Sequence, residues 1–393
     1  MRTRKRKIFK PHRGYRIRRK NENAVKIVGG VLLVAVLVFV GYSAMEPLTE
    51  YMNRNRETEA VTEELPTETL PSETEASVTE TDTATELSEL PVNKTVSMGK
   101  TVFLDESATE SEIMLISAVD RAKTDGAAAV VIPMKTEGGI YRYKTSNKTA
   151  ATSITDPVRS ELTAEDIAKT VTDRGLIPCA YVSVLTDNNR YGDTRTGAYH
   201  SPDGMPWIDA DPAKGGKPWI SPFSDEAALM LCEMCTEIAD AGFAQIICDD
   251  FVFPEFTERD MEILGEEVGD EQARQKAVMT LIKRMTNSAR SAGADVLVRI
   301  PVRDVIGETG LMDAEKLSGC SLLVDMGDTS RITKVNGNDL SPLDTAHKTS
   351  ALYVAYTAHT QGLVSYPMII SSDDNDLIAE ALYEVDCDSF YLY

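Results

Sequence analysis

Two adjacent aspartates, Asp249 and Asp250, close an apolar run in the stretch IICDDFVFPEF, Ile246 to Phe256. Carboxylates fixed at a strand end are how many barrel enzymes present acids to a substrate. Acid–base hydrolysis with carboxyls uses two of them, one protonated as acid and one acting as nucleophile or base. Side chains alternate along a strand, so Asp249 and Asp250 are expected on opposite sides for as long as the strand persists. The partner of Asp249 must then come from another strand end. Asp105, Glu106, Glu137, Asp187, Glu255, Asp325, Asp328, Asp373 and Asp374 all follow apolar runs. Asp325 and Asp373 are the preferred partners, because an acid that closes an apolar strand has little backbone freedom. With 62 acidic residues in the chain, each is equally readable as a solvated loop acid. Arg299 and Arg303 could bind a substrate carboxylate or pair with strand-end acids and lower their pKa.

Other chemistries find less material. His200, His347 and His359 are the histidines beyond the N-terminal arm, and none neighbours a nucleophile-elbow sequence. Cys232 and Cys235 have metal-like spacing, but two ligands without a second pair or clustered histidines do not make a structural zinc site. The Asp209–Pro212 run lacks EF-hand spacing, and no glycine-rich phosphate loop follows the first strand. No metal and no cofactor are therefore expected. Residues 185–224 form a long Gly-, Pro- and Asp-rich insertion holding both tryptophans, Trp207 and Trp219. Loops of this length inside a compact domain are usually functional. Indole faces there could stack on sugar rings, or the insertion could be a cover whose tryptophans pack inward.

The elements that must position these groups alternate. Strand-like runs occur at Thr101–Leu104, Ala129–Met134, Ile177–Val184, Gln245–Asp249, Asp295–Ile300, Ser321–Asp325, Tyr366–Ile370 and Ser389–Leu392. Helical patterns fall between them at about 110–125, 163–174, 225–242, 272–292, 346–361 and 374–386, with a short one near 313–318. Alternating βα units imply a parallel sheet. Eight of them over residues 97–393 predict an α/β fold, a (β/α)8 TIM-like barrel; a doubly wound open sheet is the alternative.

Before residue 97 the composition changes twice. Residues 1–26 hold twelve Lys/Arg and one acid, about +11, so the rest of the chain carries about −32 of the net −21. Ile27 to Met45 contains no charge and at 1.5 Å per residue would span roughly 28 Å, close to a bilayer core. The pattern predicts an uncleaved transmembrane signal anchor over 27–45, single-pass in the cell membrane. The basic arm would be cytoplasmic and the remainder extracellular. A basic arm before such a segment is a topology signal, and no nucleic-acid partner is expected. Residues 46–96 are expected to be a disordered linker: 46–91 alone hold thirteen acids, ten threonines and one aromatic, too little apolar surface to bury. Export would permit disulfides, but four of the six cysteines sit in or beside apolar runs and read as small buried hydrophobes.

The span WISPFSDEAALMLCEMCTEIADAGFAQIICDDFVFP resembles a bacterial glycosyl hydrolase domain family with a (β/α)8 barrel. That family reads Trp-(Leu/Val)-Asp-Pro-Tyr, a helix ending Leu-Gly-Phe-Asp-Glu-Ile, then Phe-Asp-Tyr-(Ile/Val)-Arg-Phe-Pro. Trp219, Pro222, Gly242, Phe243, Asp249, Phe253 and Pro254 match it. The likeness extends in order through VVIPMKTEGGIYRY and the closing SFYLY. Departures mark a divergent member. Pro133 stands at a family Asp, Asp250 at its Tyr, Val252 at its Arg and Arg299 at a strand-five Asp, while VDMGDTS replaces a Met-Val-Tyr-Pro run. The resemblance implies a glycoside hydrolase, which with the predicted anchor would be membrane-anchored and extracytoplasmic, acting on a cell-envelope or environmental polysaccharide. Asp249 would be its central carboxylate, with Asp325 or Asp373 as partner. Trp207, Trp219, Asp187, Lys135 and Arg299 would contact the sugar. The departures support the alternative of an inactive barrel that binds cell-wall glycan or partner proteins.

Overall fold

The computed structural model describes residues 97–147, 160–187, 197–306 and 317–393. Eight parallel strands form one closed ring: β1 Lys100–Phe103, β2 Ala129–Thr136, β3 Ile177–Ser183, β4 Gln245–Asp249, β5 Asp295–Pro301, β6 Ser321–Asp325, β7 Ser365–Ile369 and β8 Phe390–Leu392. Closure is made by β1, whose Val102 is in register with Val130 of β2 on one side and Leu392 of β8 on the other. The helices lie between strands in sequence: α1 Glu112–Thr124, α2 Ala164–Thr172, α3 Asp225–Asp240, α4 Glu258–Leu264, α5 Glu271–Ser291, α6 Thr345–Thr357 and α7 Asn375–Tyr383. The eight strand runs read from the sequence coincide with the eight barrel strands to within two residues. The short helix expected near 313–318 falls mainly outside the described residues.

Alternation along the strands explains the two-sided burial. Val131, Cys179, Ile247, Leu297, Leu323, Met368 and Tyr391 form one buried cluster inside the ring. Their neighbours Val130, Ala180, Ile246, Val296, Leu322 and Leu392 face outward into the cluster shared with the helices. Strands buried on both faces read as continuous apolar runs, which is why their existence was plain in the sequence. Helix starts are equally local. Thr163 and Asp166 form a capping box at α2, Thr257 and Asp260 form another at α4, and Ser224 caps α3. Each side-chain cap satisfies an otherwise orphaned amide.

The structure corrects the expectation of a membrane anchor as far as the described residues reach. Among the described residues no helix is long and apolar enough to cross a membrane. The 21-residue α5 has the length, but it carries Glu271, Arg274, Lys276, Lys283, Arg284 and Arg290 along it. The basic arm at 1–26, the proposed span at 27–45 and the linker at 46–96 lie outside the described residues. The single-pass topology, the membrane as partner and the cell-membrane localisation thus have no support among the described residues.

Candidate functional site at the barrel mouth

Inward positions recur every second residue along a strand. Stepping two residues from the interior cluster toward the strand C-termini leads from Cys179 to Tyr181, Ile247 to Asp249, Leu297 to Arg299, Leu323 to Asp325 and Tyr391 to Tyr393. The apolar plug thus gives way to a polar layer where barrel enzymes carry their active sites. Tyr181, Asp249, Arg299 and Tyr393 line an open cleft of 510 Å³, together with Phe103, Leu104, Asp105 and Glu106 after β1 and Pro133, Thr136 and Glu137 on and after β2.

Arg299 binds two strand-end acids at once. Its Nη1 donates to Asp249 Oδ2 at 2.5 Å, while Nε and Nη2 donate to Asp325 Oδ2 at 3.2 and 2.7 Å. Its guanidinium carbon lies 5.3 Å from the centroid of the Tyr393 ring, within cation–π range. Tyr181 adds a donor to Asp249 Oδ2 at 3.1 Å, and the Asp250 amide donates to Asp249 Oδ1 at 2.7 Å. Burial pushes the Asp249 carboxyl above its ordinary pKa, opposed by the Arg299 charge and reinforced by Asp250. Its three hydrogen-bond partners, Tyr181, Arg299 and the Asp250 amide, are all donors, and they offset part of that rise by favouring the ionised form. Burial and the neighbouring acids push the Tyr181 hydroxyl well up, which keeps it a donor.

Asp250 departs from expectation. Strand β4 stops at Asp249, and Asp250 takes φ 57°, a left-handed conformation that few non-glycine residues adopt. The alternation therefore ends one residue before it would separate the pair, and both aspartates line the same cleft. The turn is tied to β3 and its loop: Val184 N donates to Asp249 O at 3.0 Å and Leu185 N to Asp250 O at 3.3 Å. The Thr186 hydroxyl lies 3.4 Å from Asp250 Oδ2.

The remaining residues singled out from sequence scatter. Lys135 is fully buried, with Nζ donating to Ser183 O at 2.7 Å and lying 3.4 Å from Asp187 Oδ2; Asp187 is 1 % exposed. This pair sits beneath the turn after β2, where a Cβ on Gly139 would fall 1.9 Å from Asp187 Oδ1. Trp207 is buried against Tyr199, Phe256 and Val268, its indole N–H donating to Asp260 Oδ1 at 2.8 Å. Trp219 is half-buried and lines a second cavity of 440 Å³ adjoining the first. Asp373 and Asp374 are exposed and line neither cavity. Arg303 is exposed beside Asp304, and Asp328 caps a turn and pairs with Arg331. Tyr181, Tyr393 and Phe103 escaped notice in the sequence, although the two-residue step from Cys179, Tyr391 and Thr101 would have pointed to all three. Among the described residues no cluster of three or more His, Cys, Asp or Glu could hold a metal ion.

A closed parallel barrel with a carboxylate-lined cleft at its C-terminal mouth defines a protein of the TIM-barrel, glycosyl-hydrolase-like class. Residues 101–312, more than half of the chain, match the family described as "Putative glycosyl hydrolase domain", and the chain belongs to that family. Among solved structures it is similar to a hypothetical protein from Ruminiclostridium thermocellum ATCC 27405, at 20% identity over 50% of this chain and 96% of that one, TM-score 0.38. It is also similar to the PgaB (BpsB) glycoside hydrolase domain from Bordetella bronchiseptica, at 14% identity over 75% and 94%, TM-score 0.49. A third is a D-psicose 3-epimerase crystallised in the presence of D-fructose, at 9% identity over 75% and 84%, TM-score 0.38. At such identities the likeness is one of fold. A comparison with curated proteins finds no match.

Proposed function

We propose that the cleft hydrolyses a glycosidic bond, with Asp249 as the fixed anionic carboxylate. One observation carries the reading: Asp249 is held by three donors in a cleft of ligand size that also holds unengaged space and further carboxyls. Ligand sites commonly occupy about 300–1,000 Å³. The acid partner is Glu137, which is exposed at the rim and follows β2. β2 and β4 are separated by β3 alone, so their ends stand two strand spacings apart, about 10 Å. With the two acids on strand ends that far apart, the scheme taken here is the inverting one, in which a water sits between Asp249 and the anomeric carbon. In this scheme Asp249 takes a proton from the water as it attacks, and Glu137 gives one to the departing sugar oxygen. Tyr181 and Arg299 hold Asp249 in place, and Asp325 anchors Arg299 from the far side.

The chain reads as a divergent member of its family. It keeps Asp249, Phe253 and Pro254 of the strand-four motif but carries Asp250, Val252, Pro133 and Arg299 at positions where the family pattern has other residues. The Arg299 bridge supports a second reading, a barrel that binds glycan without cleaving it, since a cation clasped to Asp249 quenches its basicity. A hydrolysis and glycan-binding screen with the wild type, Asp249→Asn and Glu137→Gln separates the two. Hydrolysis abolished in both variants supports the first reading. Binding without turnover in the wild type supports the second, and turnover undiminished in Asp249→Asn removes Asp249 from the mechanism.

A further inference from the structure

The cavity beside Trp219 adjoins the Asp249 cleft at two places. Glu137 lines both cavities, and Thr186, which lines the second, touches Asp250, which lines the first. Pro254 and Glu255, in the loop that continues from the Asp249–Asp250 turn, form another wall of the second cavity. The Trp219 ring is fixed in the plane of its own N–H. Nε1 donates to Asp209 Oδ2 at 2.9 Å, and Asp209 is held by a reciprocal pair of backbone contacts, Lys217 N to Oδ1 at 2.7 Å and Asp209 N to Lys217 O at 3.0 Å. The return of this loop needs Gly216, where a Cβ would lie 1.9 Å from Ala210 O. Behind the ring, Trp219 packs against the cluster of Tyr199, Trp207 and Val268. Its polar atom is satisfied inside the protein, so what it offers the cavity is an apolar aromatic surface that costs little to order on binding.

We propose that the Trp219 cavity is a second sugar subsite, continuous with the Asp249 cleft across Glu137, so that the ligand is an oligosaccharide rather than a single sugar. This rests on the reading of the Asp249 cleft as a glycan site. The electrostatics narrow the class of glycan. Asp105, Glu106, Glu137, Asp249 and Asp250 line the first cavity, and Asp209 and Glu255 join them in the second, against the basic residues Arg299 and Lys217. Arg299 is already engaged by two of those acids. Like-charge juxtaposition disfavours a partner strongly, so the ligand chain is neutral or cationic and lacks uronic-acid or phosphate groups.

The test uses the full chain carrying Asp249→Asn to prevent turnover. Calorimetric titration is done with neutral β-linked glucose and N-acetylglucosamine oligosaccharides of two to six units, and with oligogalacturonates of the same lengths. The expected result is at least about a tenfold gain in affinity from dimer to hexamer, the size of one good aromatic contact. Adding Trp219→Ala flattens that ratio, Trp219→Phe largely restores it, and oligogalacturonates bind more weakly at every length. Because the chain has two tryptophans, Trp207→Phe leaves Trp219 as sole emitter, and its fluorescence shifts on saturation with hexamer. A length ratio unchanged by Trp219→Ala in a protein that still binds overturns the second subsite alone. Tighter binding of oligogalacturonate overturns the charge assignment. Absence of affinity for every oligosaccharide overturns the glycan reading and the subsite with it.

Discussion

Arg299 reaches Asp249 at 2.5 Å from one edge of its guanidinium and Asp325 from the other, so one cation holds the ends of three consecutive strands, β4, β5 and β6. Side-chain exposures of 20 %, 15 % and 21 % for Arg299, Asp249 and Asp325 place this network at the boundary between core and solvent. Arg299→Met leaves two neighbouring carboxylates without their cation. The expected cost is about 2 kcal/mol at neutral pH, less than the 3–5 kcal/mol of a fully buried broken pair because water reaches these groups. Urea denaturation at pH 7 and pH 4 checks it, and the cost shrinks at pH 4 as Asp249, its pKa raised by burial, takes up its proton.

Asp249 itself has a signed pH dependence. Burial holds its pKa above the ordinary value, with Arg299 opposing and Asp250 adding to the rise. A carboxyl whose pKa is higher folded than unfolded binds its proton more tightly in the folded protein. Its contribution to stability is therefore most favourable at low pH and declines as pH rises from the ordinary value through the folded one. Asp249→Asn cannot ionise and lacks this decline. The stability of the wild type relative to the variant should fall across that window and level off above it, measured by denaturation at a series of pH values. A difference that grows with pH would mean that the Arg299 contact outweighs burial. In activity, Asp249→Asn is expected to lower hydrolysis by at least about 100-fold.

The left-handed turn at Asp250 predicts an asymmetric response to substitution. Asp250→Gly suits φ 57° and should leave the thermal midpoint nearly unchanged. Asp250→Val, β-branched at a positive φ, should cost about 1–2 kcal/mol and loosen the amide that donates to Asp249. Differential scanning calorimetry of the two variants distinguishes backbone strain from loss of the carboxylate.

Gly139 and Asp187 should behave as one unit. Gly139→Ala combines φ 77° with a Cβ 1.9 Å from Asp187 Oδ1, and a loss of about 3 kcal/mol is expected. Asp187→Ala alone takes the counter-charge from the buried Lys135 ammonium, which keeps its bond to Ser183 O, and should cost about 3 kcal/mol. The double variant removes the clash along with the carboxylate, so it should lose less than the two single costs added together. Strict additivity in a double-mutant cycle would count against the contact.

Asp260 serves two elements. Its Oδ2 accepts from Thr257 N and Oγ1 at the start of α4, and its Oδ1 accepts the Trp207 indole. Asp260→Ala should cost about 2 kcal/mol, combining a lost cap with a buried indole N–H left unpaired. Trp207 emission should shift to longer wavelength as the aromatic cluster loosens. Asp260→Asn keeps one acceptor oxygen and turns an NH2 toward the other donor set, so it should recover only part of the loss.

The parallel strands were legible in the sequence because each is buried on both faces and so writes a continuous apolar run, whereas the short helix α4 capped by Thr257 went unread because its seven residues bury none of their side chains and leave no apolar period. From those local signals the alternation of strands and helices determined the barrel, and the strand-end acids followed from where the apolar runs stop. Where the acids face was decided only in three dimensions. Asp249 and Asp250 share a cleft because a backbone torsion ends β4 between them, and no residue preference announces a left-handed aspartate. Lys135 and Asp187 are fifty-two positions apart and meet in a buried pair under Gly139, a contact set by how the loops after β2 and β3 cross. Trp207 and Trp219, twelve residues apart in one insertion, receive opposite roles because one indole is buried with its N–H on the half-buried Asp260 and the other finds Asp209 beside an open cavity. Periodicity reports which residues a strand buries. Which acid meets Arg299, and which tryptophan meets solvent, depends on the strand register and loop packing that the closed ring imposes.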